Sequence, residues 1–137
     1  MAIIDVEIPS SQTATTTINA GPGDVINIPA GMMGSITING GPDVTINILG
    51  DPDPGSTFGT LTLGGWGSDI EPTVNIPAGV DFSRYPIDSN GENLTLNVGD
   101  GATLSSIDAT GMSNTGTFTI NAGNDVTIDG SIHNYGS

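Results

Sequence analysis

The sequence predicts an all-β protein, a single right-handed parallel β-helix of about five short rungs. Three observations carry this. Aliphatic residues alternate with Thr, Ser and Asn at a period of two, as in Ser35-Ile36-Thr37-Ile38-Asn39, the pattern of a strand with one buried face. The phrase recurs: Ile18 and Asn27 of "TTTINAGPGDVINIPAG" reappear as Ile38 and Asn47, both 20 positions on. Near-repeats at about 20 to 26 residues mark a solenoid rather than a closed barrel. No stretch shows helical periodicity, and Thr, Asn, Val and Ile dominate throughout.

In chain order, Ala2 to Ile8 comes first, with Ile4, Val6 and Ile8 on one face. It lies outside the repeat, so residues 1–13 read as an N-terminal strand or arm and residues 14–137 as the β-helix. The strand either caps the first rung or pairs with something else; a cap covers an edge that otherwise aggregates. The first full copy is Thr15 to Gly31 and the second Ser35 to Ile48, whose halves are joined by Gly40-Gly41-Pro42-Asp43, turn chemistry throughout. Later copies are "TLTLGG" (60–65), "TVNIPAG" (73–79), "LTLNVGDG" (94–101) and "TFTINAGNDVTIDG" (117–130). Ile18, Ile38, Val44, Ile46, Leu96, Ile120 and Ile128 occupy the inward phase. Stacked copies put Thr above Thr and Asn above Asn on the outside. Segments 49–59, 80–93 and 102–116 read as insertions lengthening single rungs, and solenoid insertions tend to project from one side. An antiparallel β-sandwich is the alternative architecture, since short strands with Gly turns also fit it. The kept outward Thr-x-Asn favours the stack. The right hand is the usual sense of parallel crossovers.

Composition bounds the function. Fifteen acids face one cation, Arg84, and no lysine, for a net charge of -14 over 137 residues. Such a surface lacks the cations that replace phosphate counterions, so nucleic acid is excluded as a partner, and anionic membrane likewise. Charged residues are only 12% of the chain and aliphatics are regularly spaced, which argues for a folded protein rather than disorder. There is no cysteine, hence no disulfide framework or thiolate zinc site. The start, "MAIIDVEIPSSQTATTT", has no basic n-region and no long apolar run, which predicts neither signal peptide nor membrane span.

Little catalytic chemistry is visible. His133 is the single histidine and has no nucleophile or second ligand near it in sequence, so it reads as a surface residue. Asp51 with Asp53, or Asp69 with Glu71, supply carboxylate pairs, but sugar hydrolysis needs two carboxyls across a cleft that five short rungs do not make. The expectation is a protein with no enzymatic activity and no cofactor. "GGWGSD" (64–69) matches the opening of the calcium-binding nonapeptide G-G-x-G-x-D, but it occurs once, and Ile70 and Glu71 do not complete it. Asp51, Asp53 and Asp69 are therefore fragments of a metal site, not a metal site. The aromatics Phe58, Trp66, Phe82 and Tyr85 fall outside the repeated strands, and Phe82-Ser83-Arg84-Tyr85-Pro86 sets the one cation between two rings. Such residues are enriched at protein interfaces; alternatively the rings cover the core beneath their loops.

A small solenoid with a Thr/Asn/Gly-rich skin, no export signal and no active-site inventory resembles the capsid decoration, or cement, proteins of tailed bacteriophages. The resemblance is one of architecture and composition. It implies a homotrimer on the outer surface of the virion that clamps major capsid subunits. Docking is then expected through Ile3, Ile4, Val6 and Ile8 of the first strand, or through Phe82, Arg84 and Tyr85, rather than through the Thr/Asn ladders. "NAGNDVTIDGSIHNYGS" (121–137) also resembles adhesin repeats of the filamentous-haemagglutinin type, which makes a surface-adhesion or glycan-binding solenoid the second reading. The threonine ranks resemble those of ice-binding solenoids, the third.

Overall fold

The computed structural model describes residues 1–8, 13–40, 42–55, 59–64, 71–90, 93–109 and 117–134. Among them every regular element is a strand, and every strand pairing is parallel. The chain winds as a β-solenoid of about five turns. One six-stranded sheet, sheet A, stacks β1 (Ile3–Asp5), β3 (Val25–Ile28), β5 (Thr45–Ile48), β7 (Thr73–Ile76), β10 (Leu94–Val98) and β13 (Phe118–Ala122). A second, sheet B, stacks β2 (Thr15–Asn19), β4 (Ser35–Asn39), β6 (Leu61–Gly64), β9 (Ile87–Ser89), β12 (Ile107–Ala109) and β15 (Ile132–Asn134). A three-stranded sheet C, made of β8 (Asp81–Phe82), β11 (Thr103–Leu104) and β14 (Thr127–Ile128), joins from the third coil onward.

Register follows the side-chain pattern. Ile26, Ile46, Val74 and Leu96 stand over one another inside sheet A, and Ile36, Leu61, Ile87 and Ile107 do the same inside sheet B. All eight are buried. A slip of one residue would turn each apolar set to solvent, so burial itself locks the stack. Of the residues expected inside, Ile38, Val44, Ile46 and Leu96 are buried, while Ile18, Ile120 and Ile128 are only partly so. The last three belong to coils at the ends of the stack, with a neighbouring coil on one side.

Two expectations need correction. The first strand is not outside the repeat. β1 pairs with β3 in register, Ile3 with Val25, Ile4 with Ile26 and Asp5 with Asn27, and the Val6 amide donates to the Asn27 carbonyl at 2.9 Å. Residues 3–6 (Ile-Ile-Asp-Val) follow the same alternation as residues 25–28 (Val-Ile-Asn-Ile), which is why they take the same place one coil earlier. Nor do the described residues of 80–93 and 102–116 form projecting insertions. They contain β8, β9, β11 and β12, and supply the third side and the next coil. The corner into sheet C is itself stacked: Gly79 and Gly101, with φ of 73° and 72°, precede β8 and β11 at the position that Asp125, φ 59°, takes before β14. Only glycine, or a short polar residue such as Asp, takes this left-handed turn cheaply.

Candidate functional site

The outer face of sheet A is built from the alternate residues that the core leaves outside. One rank is Thr45, Thr73, Thr95 and Thr119; two positions along each strand lies a rank of Asn47, Asn75, Asn97 and Asn121, extended upward by Asn27 and Asp5. The carboxamides form a continuous ladder. Asn27 Nδ2 donates to Asp5 Oδ1 at 3.1 Å, Asn47 to Asn27 at 3.1 Å, Asn75 to Asn47 at 2.9 Å, Asn97 to Asn75 at 2.9 Å and Asn121 to Asn97 at 2.9 Å. Next to the ladder lies a groove of about 470 Å³, with Leu49, Pro77 and Gly99 on its far side. Leu49 is 57% exposed. Within sheet A, the outward positions of β3, β5, β7, β10 and β13 carry no charge, in a chain with fifteen acids.

Carboxylates elsewhere serve the backbone. Asp24 accepts the amides of Ala2 and Gly21, each at 2.7 Å; these two bonds, Gly21's first, hold its carboxyl below the ordinary value. That contact ties the N-terminal segment to the first coil. Asp51 Oδ1 accepts the Asp81 amide and Asp53 Oδ1 the Gly55 amide, both at 2.8 Å. Asp51 thus ties one coil to the next, and Asp53 braces its own turn. Asp69 and the rest of 65–70 lie outside the described residues, as do Phe58 and Trp66. Among the described residues no group of three or more His, Asp or Glu is placed to hold a metal ion. Glu71 accepts Asn93 Nδ2 at 2.8 Å.

Of the expected docking residues, Phe82 and Tyr85 are not at the surface. Phe82 is the inward residue of β8, stacked on Leu104, and both rings are fully buried with centroids 5.5 Å apart. Tyr85 Oη donates to the Met32 carbonyl at 3.1 Å, which satisfies the hydroxyl inside the core. Their position in a sequence segment that looked like a loop reflects the shortness of sheet C, whose strands are two residues long. Arg84 is exposed and lines a small pocket with Asp51 and Asp81. Its charge helps lower the Asp81 carboxyl, after the larger effect of the Ser83 hydroxyl and amide. Val6 is buried and Ile4 and Ile8 are partly buried, so three of the four expected side chains of the first strand cap the core; Ile3 alone points outward, 66% exposed.

On sheet B an outward column runs Thr17, Thr37, Thr62, Asp88, Asp108 and His133. Desolvation, and then the neighbouring Asp108 carboxylate, hold Asp88 above the ordinary carboxylate value. Sequence reasoning saw the Asn and Thr ranks but not the rank of Leu49, Pro77 and Gly99. Its signal was available: each lies two residues past a ladder Asn, on the same face. No family model, no curated protein and no solved structure matches the chain, so the site is read from its own geometry.

Proposed function

We propose that this chain is a non-catalytic structural protein of the tailed-phage head, a decoration protein that binds major capsid subunits as a homotrimer. The observation that carries the reading is a rigid sheet edge. β1 is the end strand of sheet A, and among the described residues nothing pairs with its outer side. Ile3 stands exposed on it, while the Ala2 contact to Asp24 and the Val6 amide hold it straight. An end strand presents a row of unpaired amides and carbonyls that adds to a partner's sheet through main-chain bonds. Three such edges on a closed trimer engage three equivalent capsid sites, and the linked contacts gain avidity. A skin of net charge -14 keeps the assembly soluble and off the packaged nucleic acid.

The docking residue set contracts accordingly, to Ile3 and its edge, with Arg84 a candidate for a charged contact at the rim. The test mixes the protein with undecorated capsids and measures co-sedimentation, alongside its mass in solution. Ile3→Asp is the informative variant, because Ile3 is outside the core and its loss leaves the fold intact. Parent protein that is trimeric and co-sediments, with Ile3→Asp weaker by about tenfold, supports the reading. A monomer that never co-sediments sinks it, and a variant that binds like the parent moves the docking face elsewhere.

A further inference from the structure

The groove on sheet A has a chemistry that capsid docking through β1 does not use. We propose that it is a binding site for a neutral, hydroxyl-rich chain, an oligosaccharide or polysaccharide lying along the solenoid axis. A carboxamide offers two N–H donors and two acceptor lone pairs. Within the ladder, Asn47, Asn75 and Asn97 each donate one bond and accept one. Each keeps one N–H and one lone pair for an outside partner. The result is a strip of alternating donors and acceptors that repeats at about 4.8 Å, the spacing of paired strands. A hydroxyl both donates and accepts, so a row of hydroxyls on a repeating chain matches the strip.

The other wall suits the same ligand. Leu49 and Pro77 are exposed apolar surfaces facing the Asn rank across the groove, and they take the C–H face of a sugar ring. The groove is shallow and open, with about 470 Å³ of space, so a chain would lie along it rather than be enclosed. Charge selects further. No charged residue lines the groove itself, although Asp51 and Asp100 lie just past its Leu49 and Gly99 wall, on a protein of net charge -14. Anionic chains are repelled by the surroundings, and cationic ones find no partner within the groove.

A second copy of the chain is the competing occupant, and area decides against it. Six strands at about 4.8 Å spacing and four residues at about 3.3 Å give a face of roughly 300 Å². A stable interface needs about 800 Å² from each partner. Ice is the other competitor. It requires side chains free to order water, whereas the amides of this face already bond one another.

The test is affinity electrophoresis of the intact protein through gels containing neutral polysaccharides (glucan, mannan, galactan), with alginate as the anionic control. Two variants accompany it: Leu49→Asp, which charges the exposed rim without touching the core, and Asn97→Asp, which breaks the donor strip. Their melting temperatures are measured in parallel to show that both remain folded. Retardation by a neutral polysaccharide, weakened at least tenfold in Leu49→Asp and unchanged in Ile3→Asp, supports the site and separates it from capsid docking. No retardation by any neutral polysaccharide, equal retardation of parent and folded Leu49→Asp, or retardation by alginate overturns it. Thermal hysteresis without polysaccharide binding would reassign the face to ice.

Discussion

Asn75 donates a side-chain hydrogen bond to Asn47 at 2.9 Å although 28 positions of sequence separate the two. The neighbouring steps of the same ladder span 22, 20, 22 and 24 positions. Coil length varies and register does not. The extra residues of the longest step fall between the strands, from β5 to β6 and from β6 to β7, because a slip would expose the Ile and Val column behind the ladder. Asn is thus a register mark: its carboxamide bonds the side chain that stands directly above or below it.

Removing a middle rung of the ladder should cost more than removing its end. Asn75→Ala deletes one donated and one accepted bond at a half-buried site, and the expected loss is about 1–2 kcal/mol. Asn121→Ala deletes one bond at an exposed site, for about 0.5 kcal/mol. Urea titrations of the two variants give the comparison. Equal losses would mean that the ladder decorates the stack without holding it.

Core substitutions should follow position in the stack. Ile46 is fully buried in the middle of its column, and Ile46→Ala is expected to destabilise by about 2–5 kcal/mol. Ile120 occupies the same column at its end and is only partly buried, so Ile120→Ala should cost less than half as much. Thermal melts decide it. A larger loss at Ile120 would show that the last coil is covered in solution.

Tyr85 is expected to behave as a core residue. Tyr85→Phe removes one of two hydrogen bonds to the Met32 carbonyl, which keeps the Asp53 amide at 2.9 Å, for a loss of about 1 kcal/mol, and Tyr85→Ala costs about 3–5 kcal/mol. Gly59→Ala is damaging for the same reason, since an added methyl would run into the Tyr85 ring and the Gly34 carbonyl. Denaturation measurements settle this; a Tyr85→Ala variant as stable as the parent would put the ring back at the surface.

The fold was legible in the sequence because inward aliphatics and outward Thr and Asn were written at two periods at once, two residues and one coil. The first strand reads, from sequence, as lying outside the repeat because Asp5 and Glu7 stand where later copies carry Asn and Pro or Leu, although Ile4 and Val6 keep its phase. Sheet C was missed because a two-residue strand such as Asp81–Phe82 has no periodicity to read. The rings of Phe82 and Tyr85 therefore looked like loop residues. The groove was illegible for another reason: its shape depends on Leu49, Pro77 and Gly99, which directly follow the adjacent strands β5, β7 and β10, and their side chains have nothing in common.

Acidification should act in opposite directions at two sites. Asp24 has a lowered carboxyl, so its contribution to stability is present above the ordinary Asp value of about 3.9 and is lost as pH falls through the lower folded value. Asp24→Asn should loosen β1 at neutral pH, seen as faster hydrogen exchange at the amides of Ala2 and Val6, and the difference from the parent should shrink below about pH 4. Asp88 has a raised carboxyl, so the folded state favours its protonated form. Its stabilising contribution is present below about pH 3.9 and is lost as pH rises through the raised folded value. Asp88→Asn should therefore raise the melting temperature slightly at pH 7 and leave it unchanged in acid. A lower melting temperature at pH 7 would show that the stack of Asp88 on Asp108 is not repulsive.

The account rests on residues about one coil apart lying directly over one another, and engineered disulfides test that most directly. The chain has no cysteine of its own, so a pair can be introduced without background. Thr45 and Thr73 are register partners on adjacent strands, both facing outward. Their Cα separation of about 4.8 Å falls within the 4.4–6.8 Å span of a disulfide. Thr95 lies one strand further on, beyond that span from Thr45. Oxidation of the Thr45→Cys/Thr73→Cys protein is expected to close the bridge nearly completely with the fold retained, and that of Thr45→Cys/Thr95→Cys to leave free thiols. Efficient bridging of Thr45 to Thr95, or failure of the Thr45 to Thr73 bridge in a folded protein, would contradict the in-register stack.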